Sequence, residues 1–326
     1  MHSCSKIHDL IMQQRTQYIM SWLLCGLVFA GATACSGDDD TKSTKETEKA
    51  PVENEVPLRR LTITEVEGGA ADAKQALTRA TLADQDGELV PSWEAGDGLR
   101  YCNLSRTNPN TYEPYTGPLT AASTAAISQF TGDVACIIDD YLAVVYPATT
   151  FEKNDSYTIS LSGQKGTLSG LATNYHYVYG KAYVTSVTET TATAEMVRMK
   201  SLLTVCKFSF EDKATGYVLP ITTLEISYGG TGSDQNTYPQ TATVAVSDDT
   251  EPEDVHAIGV EGSTIPLSIS AAEGATEVYV ALLPSGGKRT FNFTVTNDSG
   301  TYSGTAKATL NEGEYMEATG LKLTKQ

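Results

Sequence analysis

The residues able to do chemistry in this chain are few, and their spacing suits no familiar reaction. Downstream of residue 35 there are two histidines, His176 and His256, and neither has a second His or a Cys at metal-ligand spacing. HExxH, GxSxG and CxxC patterns do not occur there. "PSGGKRT" (284–290) has the look of a phosphate loop, but Leu282 stands where the leading Gly belongs. The segment also joins two strand-like runs instead of opening a helix, so a hairpin turn accounts for it better. "DQDGE" (84–88) alternates oxygen ligands as a calcium loop does, then stops with no bidentate Glu at the required distance. Asp139 and Asp140 read as a turn or strand end rather than a catalytic pair. The expectation is a non-enzyme with no resident metal or cofactor.

Another kind of chemistry is done to a chain rather than by it. "QALTRATLADQ" (75–85) carries one Arg–Ala bond, Arg79–Ala80, in a polar stretch with no packing role. Arg79 is either an ordinary solvated charge or a place where the chain is cut. Arg59 and Arg60, just before the first strand-like run, are rival sites. Cutting there would leave that run in place.

Cys35 is the other modification candidate. "WLLCGLVFAGATA" (22–34), with Arg15 upstream, reads as a signal-peptide core and is too short to span a bilayer. Starting at Met12 rather than Met1 gives a cleaner basic leader. Ala32 and Ala34 directly before Cys35 resemble a bacterial lipobox, which implies cleavage before Cys35 and its acylation with chains such as palmitate. An ordinary secretory signal beside an incidental Cys is the alternative. Several acyl chains would anchor the protein firmly, where one alone binds marginally. Residues 35–57, beginning "CSGDDD", hold no large apolar residue except two valines and read as a disordered acidic tether. "SGDDD" also resembles the surface-export signal of lipoproteins in Gram-negative gut and oral anaerobes.

Removing residues 1–34 takes out Lys6, Arg15 and Asp9, so the formal net charge moves from −17 to −18. Such a body repels phosphate backbones, which argues against a nucleic-acid partner. The 292 residues that remain exceed what one core usually supports, so two domains are expected. Cys102, Cys136 and Cys206 each lie in an apolar run. They read as three buried free thiols, with one disulfide plus a thiol as the alternative.

The elements that must position these residues are strands. "RLTITEV" (60–66) places Leu61 and Ile63 on one face and Thr62 and Thr64 on the other. "LRYCNL", "YTISLS", "LLTVCKFSF", "TTLEISY" and "TFNFTVT" continue the period of two, separated by turn formers such as "YGGTGSDQN" and "NDSGTYSG". The best helical candidate, "ADAKQALTR" (71–79), is short. "SVTETTATAE" (186–195) is the most loop-like interruption, which places the domains at 58–193 and 194–326. Seventeen tyrosines leave open a glycan-binding surface, although Tyr is also a common strand residue.

Several segments, in order, resemble the fimbrillin family, the type V pilins of Gram-negative gut and oral anaerobes. They are "TRAT" (78–81), "WEAGDGL" (93–99), "ISQFTGDV" (127–134), "YLAVVYPA" (141–148), "VRMKSLLTVCKFSF" (197–210), "VYVALLPSGGKRTFNFTV" (278–295) and "ATLNEGEYMEATGLKL" (308–323). The resemblance implies an all-β fold of two transthyretin-like β-sandwich domains in tandem. It implies an outer-membrane lipoprotein exposed at the cell surface and cut after Arg79 by an Arg-specific protease. The strand carrying Leu61, Ile63 and Val66 would then leave, and a terminal strand of another fimbrial subunit would fill the groove. Leu321 and Leu323 mark the candidate donor, or simply the last strand of the second domain. The expected partners are other fimbrial subunits, the outer membrane through the lipid, and a host protein or glycan. The alternatives are an uncleaved anchor or tip subunit and a monomeric surface lipoprotein that binds glycan or protein.

Overall fold

The computed structural model describes residues 56–68, 81–85, 88–152, 156–195, 197–260 and 265–326. The fold is all-β, with two sheet lobes in tandem, as the alternating pattern predicts. The first lobe uses β1 (Leu58–Gly68), β2 (Thr81–Gln85), β3 (Glu88–Ser92), β4 (Gly98–Thr107), β5 (Pro114–Ala121) and β6 (Ile127–Ala135). It continues with β7 (Tyr141–Tyr146), β8 (Ser156–Ser160), β9 (Val178–Val187), β10 (Thr191–Ala194) and β11 (Val197–Ser201). The second lobe holds β12 (Thr204–Asp212), β13 (Thr223–Tyr228), β14 (Thr241–Ala245), β15 (Ala257–Gly259) and β16 (Leu267–Ser270). It ends with β17 (Val278–Leu282), β18 (Arg289–Asn297), β19 (Gly300–Ala308) and β20 (Tyr315–Lys325). A seven-residue helix, α1 (Leu168–Asn174), starts where the Thr167 hydroxyl accepts from the Gly170 amide. It is too short to leave a periodic stripe in the sequence. The segment 71–79, read as a weak helix, lies outside the described residues.

The first sheet closes on itself through β1. β6, β5, β4, β7 and β9 follow one another as antiparallel neighbours. β9 then pairs with β10 and β11, and both run parallel to β1. β1 in turn pairs antiparallel with β6 from Leu58↔Ala135 to Glu67↔Ile127. The interior of this closed sheet is a separate apolar cluster containing Trp93, Phe130, Leu119, Leu142 and Val184. The stretch 186–195, the loop-like interruption in the sequence, is a hairpin between β9 and β10. The Thr188 hydroxyl accepts from the amides of Thr190 and Thr191 to close it. Hydrogen bonding carries the first sheet on to Ser201.

The second lobe is a seven-stranded sheet in the order β16, β13, β18, β19, β20, β12, β17, whose β13–β18–β19 and β20–β12–β17 parts join only through the short β19–β20 ladder. Phe208 and Phe210 meet Phe293 between these parts, with ring centroids 5.3 and 5.7 Å apart. β8 leaves the first lobe to pair with β14, from Thr241↔Ser160 to Ala245↔Ser156. Cys102, Ala143, Val145 and Tyr179, on the outer face of the first sheet, join the core of the second lobe. That double burial explains why "LAVV" in β7 shows no alternation. Lys181 and Lys200 donate to backbone carbonyls of Asp248, Thr250, Glu253 and Val255, binding the 248–255 loop to β9 and β11.

Candidate functional site

β1 occupies the interior of its sheet, with a hydrogen-bonded neighbour on each edge. Leu61, Ile63 and Val66 point into the apolar cluster at 0% exposure, while Thr64 and Glu65 are exposed. The spacing breaks from two to three because β1 bulges: Ile63↔Phe130 is followed by Val66↔Ser128, one extra residue on β1. The parallel neighbour changes at the same place, from β10 (Ile63↔Ala194) to β11 (Val66↔Val197). Trp93 fixes this point. Its indole N–H donates to the Val66 carbonyl at 3.1 Å, and its ring meets Phe130 and Tyr146 edge-to-face at 4.9 and 5.7 Å. The sequence marks Trp93 only as a core anchor; its hydrogen bond to β1 comes from the fold.

β1 is the strand that closes this sheet. Its departure would leave β6 and the β10–β11 pair as two unpaired edges facing one another across exposed apolar side chains. Fully burying Leu61, Ile63 and Val66 contributes about 5–9 kcal/mol, at about 1.5–3 kcal/mol each. That is comparable to the net stability of a small domain, about 5–15 kcal/mol.

Arg59 and Arg60 lie within β1, not before it. The Arg59 guanidinium donates to the carbonyls of Thr188 and Cys136, and the Arg60 amide donates to the Thr190 carbonyl. Arg60 also pairs with Asp133 at 3.4 Å and donates to the Thr131 hydroxyl at 3.0 Å. Cleavage at either bond requires the closed sheet to open first. Arg79 and Ala80, which fall between β1 and β2 in the chain, lie outside the described residues, as does Cys35.

Leu321 and Leu323 lie in β20, seated in the second lobe. Leu323 is buried, and Leu321 is half-buried against the core. β20 runs parallel to β12 from Val205↔Tyr315 to Asp212↔Leu323 and meets antiparallel β19 only at Tyr302↔Lys325 and Ser303↔Thr324. It too carries one extra residue: Phe208↔Ala318 is followed by Phe210↔Leu321, with Gly320 at φ 67° inside the bulge. The core-facing residues are therefore Met316, Ala318, Leu321 and Leu323. Met316, Ala318 and Leu321 repeat the spacing of Leu61, Ile63 and Val66 in β1, two and then three. Both strands also have a parallel neighbour on one edge and an antiparallel one on the other. The C-terminal sequence by itself does not single out Met316 and Ala318. The repeated spacing is the signal that could have found them.

The other candidates serve structure. Asp140 is buried, accepting from the Asn103 amide, the Ile137 backbone N–H and the Arg106 guanidinium. Asp139, at φ 71°, accepts from the Tyr183 hydroxyl. Gly286 and Gly287, both at positive φ, make "PSGGKRT" the turn between β17 and β18. His256 pairs with Glu312 at 2.8 Å, and His176 is buried. Cys102, Cys136 and Cys206 are all buried, and no disulfide joins any two of them, which decides between the two thiol readings. Burial, then the nearby Asp140 charge, pushes the Cys136 thiol up to about 11; burial and Glu314 push Cys206 up to about 12. Among the described residues, no group of three or more His, Cys, Asp or Glu side chains is placed to hold a metal ion.

No family model and no curated protein matches the chain. It is similar to the solved structure of a candidate cell adhesion protein from Bacteroides uniformis ATCC 8492. The identity is 17%, the match covers 79% of this chain and 98% of that one, and the TM-score is 0.48. A second candidate cell adhesion protein, from Bacteroides ovatus ATCC 8483, gives 12%, 82%, 96% and 0.49 for the same measures. A fimbrial assembly protein from Parabacteroides distasonis ATCC 8503 gives 11%, 81%, 91% and 0.38. Likeness at these scores does not determine function, which has to come from this chain's own residues.

Proposed function

We propose that the protein is a structural subunit of a cell-surface fimbria, held first at the outer membrane through a lipid on Cys35 and assembled by strand exchange. Cleavage of the Arg79–Ala80 bond detaches β1 from the rest of the chain. The groove between β6 and the β10–β11 pair then takes an extended strand from another subunit. Adhesion follows from the polymer.

One observation carries this reading: β1 and the C-terminal strand β20 present the same spacing of apolar residues around a one-residue bulge, set against the antiparallel neighbour β6 in β1 and against the parallel neighbour β12 in β20. Placed in the β1 groove of a neighbour, Met316, Ala318 and Leu321 stand where Leu61, Ile63 and Val66 stood. The replacement offers a strand of the right direction to both edges, so it covers the groove that cleavage opens.

The N-terminal sequence of the protein on intact cells, with its size after limited trypsin digestion, tests the proposal. A chain that starts at Ala80 and forms oligomers supports it. A chain that keeps lipidated Cys35 and stays monomeric after the cut at Arg79 rejects it in favour of an uncleaved anchor or a binding module.

A further inference from the structure

The β2–β3 hairpin is the first element after the Arg79–Ala80 bond, yet part of its side-chain contact is with the second lobe. Leu82 and Leu89 are buried in the core that the second lobe shares. From β2, Asp84 extends its carboxylate over the start of β20. One oxygen, Oδ2, accepts from the Tyr315 hydroxyl on β20 at 2.9 Å and from the Tyr279 hydroxyl on β17 at 3.0 Å. The Lys207 ammonium on β12 donates to the same oxygen at 3.2 Å. Lys207 also reaches Glu317 of β20 at 3.5 Å and Glu277 at 3.7 Å.

The cluster sits where β20 is least supported by its ladder. Tyr315–Ala318 pair with β12 on one edge, whereas β19 joins β20 only near its far end. Between these strands lies a small apolar cavity lined in part by Phe208, Phe293, Ala306, Met316 and Ala318. The first half of β20 is therefore held by one ladder and by the side chains that converge on Asp84.

We propose that the β2–β3 hairpin is a latch, with Asp84 keeping the C-terminal strand seated in its own lobe. Burial opposes a charge on Asp84, but the hydroxyls of Tyr315 and Tyr279 and the Lys207 ammonium outweigh it and hold the carboxyl below its ordinary value. The latch is thus charged at neutral pH. The consequence for assembly rests on the strand-exchange reading. Cleavage five positions before Asp84 removes one of the hairpin's two covalent tethers, so one cut opens the acceptor groove and loosens the donor strand. An uncut subunit has neither available.

Amide hydrogen exchange on the full uncut chain tests the latch without needing a fibre. Asp84→Asn should speed exchange in residues 315–319 by about ten-fold, roughly the effect of losing one charge-assisted hydrogen bond, and leave β1 unchanged. Tyr315→Phe should do the same from the other side of the contact, whereas Tyr279→Phe, on β17 rather than β20, should do so less. Unchanged exchange in residues 315–319 in both Asp84→Asn and Tyr315→Phe overturns the latch. An equal rise across β1 also overturns it, because that reports general loosening. If Asp84→Asn opens β20 but the trypsin-cut protein stays monomeric, the latch stands and strand exchange fails.

Discussion

β1 and β20 are built alike and seated differently. β1 is hydrogen-bonded along both edges, and its three core side chains are fully buried. β20 is fully paired on one edge only, and three of its four core-facing residues are half-buried. The difference separates two roles that the same residue pattern can serve. On the proposed strand exchange, β1, paired on both edges, is the strand whose loss after a cut creates a groove. β20, with a largely unpaired edge, is the strand to be received elsewhere.

The sharpest way to break this comparison is to truncate one residue in each strand. Ile63→Ala should cost about 2–5 kcal/mol in urea unfolding, the range for a buried branched side chain whose site cannot collapse. Leu321→Ala, being half-buried, should cost less than half as much. Trp93 is the single tryptophan after residue 34, so its fluorescence reports the first lobe directly. Equal costs would mean that the two strands are seated alike.

Trp93→Phe should come next, at about 1–3 kcal/mol, because the buried Val66 carbonyl loses its donor. A matching loss of protection in the β1 amides, with β20 unaffected, would place the effect at the bulge. The thiols sharpen the comparison by pH. Cys136 and Cys206 are raised in the folded chain, so both stay neutral there while the unfolded chain ionises above about pH 8.5. Their contribution is complete below that pH and is lost as pH rises towards their folded values. A thiol reagent at about pH 8 should label them only on unfolding. The smallest effect belongs to Arg60→Gln: its pair with Asp133 is more than half exposed, so the cost should be about 0–1 kcal/mol. The trypsin pattern should not change, whereas Arg79→Gln should abolish the cut.

The strands, the core side of β1 and the 284–290 hairpin were legible because period-two alternation and turn chemistry are local signals. The features that escaped the sequence are non-local. The partners of Asp84 lie 123, 195 and 231 positions away, so nothing in "DQDGE" marks it as a clasp rather than a spare calcium ligand. The hairpin at 188–191 has the Thr/Glu composition of a linker, and only its pairing reveals that the first sheet continues beyond it. The β1 bulge looks in sequence like a lapse of alternation at Thr64 and Glu65. Its meaning emerges beside the same lapse at Thr319 and Gly320.

The most direct test of strand exchange uses the chain cut at Arg79 and freed of residues before Ala80, together with a peptide of residues 314–326. If β20 can take the place of β1, the peptide binds one-to-one and moves Trp93 fluorescence back to that of the uncut protein, and Leu321→Asp in the peptide abolishes both effects. If the cut chain stays folded and monomeric while the peptide neither binds nor shifts Trp93, the shared spacing of the two strands has no part in assembly.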